Sequence, residues 1–177
     1  MPDAEPDQLV QELCDALGAA APANFRRARL RVWASIVTYQ LEASAEPAGG
    51  GSVAVELPPV TEKLAALRWQ MYQPGRGTWF SAWFEVRAGE PPAAGFDYDR
   101  DPGWFPAVPA ILFARDLESF PRADEHIPGW LREKLEEAAT MEEHAPPDAR
   151  RDQPQDGTSV QPDRKHAGGP RTPPVPD

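Results

Sequence analysis

Leu30-Arg31-Val32-Trp33-Ala34-Ser35-Ile36-Val37-Thr38-Tyr39-Gln40-Leu41 is the stretch on which the fold turns. Its β-branched and aromatic side chains suit a pleated, half-buried surface. Leu30, Val32, Ala34 and Ile36 fall on one parity, whereas Val37, Tyr39 and Leu41 fall on the other. One long strand explains both rows if a bulge near Ile36 and Val37 inserts an extra residue, because such an insertion exchanges the two faces of a strand.

On the C-terminal side, Glu46 to Ser52 contains Pro47, Gly49, Gly50 and Gly51, after which Val53, Val55 and Leu57 alternate. A turn cluster between two such runs predicts a hairpin, which Pro58 and Pro59 end. Val60, Leu64, Leu67 and Met71 then recur at helical spacing until Pro74, Gly75 and Gly77. Thr78 to Val86 and Ala94 to Tyr98 predict a second hairpin across Gly89, Pro91 and Pro92. Ile111, Leu112 and Arg115 suggest a short helix, and Ile127, Trp130, Leu131, Lys134, Leu135 and Ala138 trace a clearer amphipathic one. On the N-terminal side, Val10, Leu13, Cys14 and Leu17 lie on one face of a helix running from near Pro6 to about Gly18. The order α, β, β, α, β, β, α, α predicts an α+β fold: a largely antiparallel sheet of about four strands with helices packed on one side.

The chain has 177 residues with 18 Lys plus Arg against 28 Asp plus Glu, which leaves room for one folded domain, placed at 1–144. The remaining 33 residues, 145–177, hold eight prolines and no aromatic side chain, so they are expected to form a disordered tail. Residues 1–144 carry 13 basic and 23 acidic side chains and the tail five of each, so the excess acid belongs to the domain. That balance disfavours direct nucleic-acid binding, whose affinity comes from neutralising phosphates, and favours a basic partner. Arg26, Arg27, Arg29 and Arg31 form the one basic cluster, and it leads straight into an apolar run.

A single thiol, Cys14, on the apolar face of a helix supports neither an internal disulfide nor a Cys-rich metal site, and a reducing cytoplasm is the expected compartment. Asp3, Glu5 and Asp7 stand where a signal peptide would be positively charged, and no apolar run approaches the length of a membrane span.

Asp97, Asp99 and Asp101 alternate like the start of a calcium loop, but Pro102 holds the position that requires Gly and Val108 the position that requires a bidentate Glu. No metal and no cofactor is therefore expected. The plainer alternatives are a solvated turn at a strand end or, with Trp104 nearby, a recognition surface for a cationic partner. Only His126 falls within a segment expected to fold, no nucleophile elbow, zinc-helix or phosphate-loop motif occurs, and no catalytic residue is assigned. Trp79 and Trp83 share a strand parity with Ser81 and Glu85, a polar mixture that places them on the face away from the helices or, equally, under a helix or loop. The candidate partner-binding set is Trp79, Trp83, Glu85, Asp97, Asp99, Asp101 and Trp104.

With those residues in place, the segment from Trp79 to Leu131 resembles the YezG-like immunity proteins. The resemblance rests on the Trp-bearing strand, Gly95-Phe96-Asp97-Tyr98-Asp99 with its Trp-containing loop, Asp116-Leu117, Phe120-Pro121-Arg122 and Ile127-Pro128-Gly129-Trp130-Leu131. Gly49-Gly50-Gly51-Ser52-Val53 is similar to the glycine-rich hairpin before that family's central helix, and the likeness spans roughly residues 5 to 138. The Pro-rich tail and the Arg cluster depart from the pattern. The resemblance implies an α+β fold, no catalysis, and inhibition by binding: a small cytoplasmic antitoxin that covers a cognate toxin domain, a basic one such as a nuclease being the expectation. A different class, a regulatory or housekeeping protein with a Trp-lined ligand pocket, is the alternative. Composition leaves the toxin's activity and the oligomeric state open.

Overall fold

The structure, a computed structural model, describes residues 5–144. The expected disordered tail at 145–177 lies outside the described residues. Nine regular elements follow in order: α1 (Pro6–Ala20), β1 (Phe25–Ala34), β2 (Tyr39–Pro47), β3 (Val53–Ala54), α2 (Thr61–Gln70), β4 (Ser81–Arg87), β5 (Ala93–Asp97), α3 (Ile111–Ser119) and α4 (Gly129–Glu143). A single 3-10 turn spans Asp124–His126. The strands form one sheet in the order β3-β2-β1-β4-β5, every neighbour antiparallel, so the α+β class holds with five strands rather than about four.

The extra strand comes from residues 30–41, which are two strands and not one bulged strand. β1 ends at Ala34, and the chain reverses through 35–38, where the Ser35 amide donates to the Thr38 carbonyl (2.8 Å) and the Thr38 amide donates to Ser35 Oγ (3.1 Å). Tyr39 then faces Ala34, Leu41 faces Val32 and Ala43 faces Leu30. A turn of even length sets odd positions opposite even ones, which produces the same exchange of hydrophobic rows that a bulge would. β1 also starts earlier, at Phe25, so Arg27, Arg29 and Arg31 alternate with Ala28, Leu30 and Val32 within it. Three of the four clustered arginines, Arg27, Arg29 and Arg31, form the solvent-facing row of a central strand.

The inward row of the sheet, Ala28, Leu30, Val32, Ala34, Ala82 and Phe84, is buried against Leu9, Leu13, Cys14 and Leu17 of α1 and Leu64 and Leu67 of α2. Each such leucine contributes on the order of 2 kcal/mol through burial. A second cluster of Phe80, Phe113 and Leu131, joined by Trp104, Val108 and Trp130, sits where β4 begins and α3 and α4 pack together. Its rings meet edge to face, with Trp130 at 5.4 Å from Phe80 and 5.5 Å from Phe113.

Two buried arginines tie these clusters together. Arg68 on α2 grips the Asp116 carboxylate of α3 through two bonds of 2.9 and 3.1 Å and donates a third to the Trp79 carbonyl at 3.0 Å. Arg122 donates to the carbonyls of Thr78 (2.8 Å) and Tyr98 (2.7 Å), with its guanidinium over the Phe80 ring at 4.8 Å. Gly77 makes room for it: at φ +82°, a Cβ there would lie within 3 Å of the Arg122 side chain.

Candidate functional site

Because strands alternate their side chains, the face opposite α1 and α2 is fixed by the register: Arg27, Arg29, Arg31 and Trp33 on β1; Gln40, Glu42, Ser44 and Glu46 on β2; Ser81, Trp83, Glu85 and Arg87 on β4; Gly95 and Asp97 on β5. Among the described residues no helix covers it. Its charges are paired, across strands except for Arg87 with Glu85 within β4. Arg27 pairs with Glu46, Arg31 with Glu42 at 3.6 Å, and Glu85 receives Arg29 Nε at 3.0 Å and Arg87 Nε at 2.7 Å. Burial pushes the Glu85 carboxyl up, but the hydrogen bonds and charges of Arg29 and Arg87 outweigh it and hold it below the usual carboxylate range.

Trp83 is the aromatic centre of this face and is 41% exposed. Its cross-strand partner is Gly95, and the indole lies over the Gly95 α-carbon so closely that a Cβ would come within 3 Å of ring carbons Cε2 and Cζ2. The missing side chain is what lets the ring lie down on the sheet. On the neighbouring strand Trp33 sits diagonally, with the Arg31 guanidinium 4.8 Å from its centroid.

The loop after β5 closes one end of the face. Asp97 Oδ1 accepts the amides of Asp99 (3.1 Å) and Arg100 (2.9 Å), which turns the chain, and Asp101 Oδ1 accepts the Gly103 amide at 2.9 Å. Trp33 Nε1 then donates to the Pro102 carbonyl at 2.6 Å, Gln40 Nε2 to the Phe105 carbonyl at 2.8 Å, and Trp130 Nε1 to the Asp99 carbonyl at 2.8 Å. A groove of about 400 Å³ lies between this loop and the strands, bordered by Arg31, Trp33, Trp83, Asp97, Arg100 and Asp101. Phe105, whose carbonyl accepts from Gln40, is 86% exposed on the same loop.

The sequence-derived set is therefore divided. Trp83, Glu85, Asp97 and Asp101 meet on the open face and its groove. Trp79 does not: it precedes β4, is 0% exposed, and packs against Phe96 and beneath the Arg68 guanidinium. Asp99 does not line the groove and instead faces Arg76 and Arg122, each at 3.4 Å. Trp104 packs into the Phe80 cluster and borders a separate cavity of about 140 Å³ with Asp101 and Lys134. The three aspartates are thus not one acidic surface, and Glu85 is neutralised by its two arginines. The surplus acid lies on helices instead: α1 carries Asp7, Glu12 and Asp15 with no Lys or Arg, and on α4 Glu133, Glu136, Glu137, Glu142 and Glu143 outnumber Arg132 and Lys134. Sequence reasoning missed Trp33, Arg31 and Phe105 as members of the site. For Arg31 and Trp33 a signal existed in the alternation from Arg27 onward; for Phe105 there was none.

Among the described residues no group of three or more His, Cys, Asp or Glu side chains is placed to hold a metal ion. None of the described helices is long and apolar enough to cross a membrane. The chain matches no protein-family model and no curated protein.

Proposed function

We propose that this protein is an immunity protein that binds a cognate toxin domain and occludes it without catalysis. The observation that carries the proposal is the uncovered sheet face, with Trp83 lying exposed at its centre, Phe105 on the loop that closes one end, and paired charges on its strands. That arrangement is the anatomy of an interface: an aromatic anchor to be desolvated, inside a polar border that fixes register. The acid-rich α4 and the formal net charge of −10 support a basic partner such as a nuclease, drawn in electrostatically, and argue against direct binding of nucleic acid. A cytoplasmic location belongs to the same proposal, since an antitoxin of this kind guards the cell that makes the toxin.

The test uses the toxin domain encoded beside this protein's gene, co-expressed with wild-type or Trp83→Ala protein. Wild type should restore growth and the variant should lose protection while remaining folded. A neighbouring gene whose product is harmless, or full protection by Trp83→Ala, would contradict the proposal.

A second reading, a regulatory or housekeeping protein that binds a small ligand, is favoured by one observation: the groove over Trp33 and Trp83.

A further inference from the structure

The sheet has two edges, and only one of them is shielded. Along β2 the outer edge meets β3, then the Val55 amide, which donates to the Ala43 carbonyl at 3.0 Å, then the 56–60 segment, which borders Leu41. β5 has no strand on its outer side. The hydrogen-bond parity of β4 fixes which of its backbone groups face that side. The Ala34 amide donates to the Phe80 carbonyl at 2.9 Å and the Ala88 amide to the Arg26 carbonyl at 3.1 Å, so the even-numbered positions along β4 bond to β1. Ser81, Trp83 and Glu85 then bond to Asp97, Gly95 and Ala93 of β5. The amides and carbonyls of Ala94 and Phe96 therefore point away from the sheet, and among the described residues none of them has a backbone partner. β5 also lacks the devices that keep an edge from pairing: Ala93 to Asp97 contains no Lys and no Pro, and its register with β4 is unbroken.

We propose that β5 pairs antiparallel with β5 of a second copy of this chain, joining two sheets through a two-fold axis. The free groups allow one such register over the strand: Ala94 opposite Phe96, Gly95 opposite Gly95, and Ala93 opposite Asp97, with Ala94 and Phe96 exchanging both backbone bonds. This pairing is self-complementary in charge and in size. Asp97, the one ionised side chain of the strand, meets the Ala93 methyl of the second copy, and its carboxylate is already held by the Asp99 and Arg100 amides and by the Arg100 guanidinium at 3.5 Å. Glycine opposite glycine leaves the space beside the axis to the two Trp83 rings, each of which lies across its own Gly95, so the exposed indole gains a packing partner. On the other face Phe96, partly buried against Trp79 and Phe84, comes diagonal to Phe96 of the second copy, within reach of an aromatic pair. Because the far edge of each sheet is shielded by β3 and the 56–60 segment, the assembly closes at two copies. The proposal does not depend on toxin binding, so either can fail while the other stands.

The experiment is sedimentation velocity of the full chain from micromolar to millimolar concentration, at low and high salt. The expected result is a reversible monomer–dimer equilibrium that tightens as salt rises, because two copies of formal charge −10 repel each other and salt screens that repulsion. Ala94→Pro removes an outward amide that no neighbour uses, a change an edge strand tolerates, and should weaken dimerisation at least about tenfold while the circular dichroism spectrum stays unchanged. Ala93 is exposed, so its charge variants keep the fold: Ala93→Asp sets a carboxylate opposite Asp97 of the second copy and should weaken the dimer at least about threefold, whereas Ala93→Arg should strengthen it. Should Ala94→Pro unfold, the opposite effects of the two Ala93 variants decide. A monomer at every concentration, which would leave the edge to a strand of some other protein, would overturn the proposal. So would oligomers that keep growing beyond two copies, or a dimer that the folded Ala94→Pro and Ala93→Asp variants leave unchanged.

Discussion

Trp79 and Trp83 share a parity in the sequence and yet have opposite environments. The ring of Trp79 is enclosed between Arg68 and Phe96, whereas that of Trp83 rests on Gly95 and faces outward. Trp79→Ala should therefore cost about 3–5 kcal/mol of stability in urea unfolding, the usual loss for a buried aromatic. Trp83→Ala should cost under about 1 kcal/mol. Equal losses for the two would contradict the assigned faces. Alternation could not separate them, because β4 begins only at Ser81 and parity carries no information before a strand starts. Cys14 offers a second check at this scale. Burial, then the Asp15 charge, pushes its thiol up to about 11. Because the folded value lies above the ordinary one of 9.0, this contribution to stability is complete below pH 9 and is lost as pH rises through about 11. At pH 8 the native protein should accordingly react with iodoacetamide far more slowly than the urea-unfolded chain, and equal rates would show that the α1–sheet contact opens freely.

Among the elements, β1 explains most of the architecture. Its inward row supplies the core and its outward row supplies the arginines that order the open face. Arg29 and Arg87 outweigh the burial of Glu85 and lower its pKa, so the stabilisation is present above the unfolded glutamate value and is lost as pH falls through the lower folded one. Glu85→Gln should consequently flatten the acid limb of the stability curve, measured as the urea midpoint between about pH 5 and pH 3. A limb as steep as that of wild type would place the acid sensitivity elsewhere. The α2–α3 contact depends on the buried Arg68–Asp116 pair, and truncating Asp116 leaves a guanidinium buried without its charge partner. Asp116→Ala should thus cost about 3–5 kcal/mol, read from denaturant unfolding. Periodicity located α2 well, because Leu64 and Leu67 mark its buried stripe, but it gave no hint that Arg68 lies inside. An arginine next to a core leucine reads as a solvated residue, and its partner is 48 positions away, beyond any local pattern.

For the whole molecule, the class was legible because alternation and helical spacing are local signals, and turn residues marked nearly every boundary. The reversal at 35–38 was not, since it uses Ser35 and Thr38 and no Gly or Pro. The site was legible where it follows strand alternation, at Trp83 and Glu85, and illegible where a loop folds back, as at Phe105 and Asp99. Charge is likewise a property of the folded surface: the acids counted together in the sequence separate into a neutral, paired sheet face and two acidic helices, α1 and α4. A basic partner approaching this surface should associate more slowly as salt rises, whereas its dissociation should depend on the aromatic centre. The most direct measurement is the equilibrium affinity of the neighbouring toxin domain for wild-type and Trp83→Ala protein, both shown to be folded. Loss of about 2 kcal/mol, or roughly thirtyfold, is the expected result for an anchor at the centre of the interface. Unchanged affinity in the folded variant would contradict occlusion through the open sheet face.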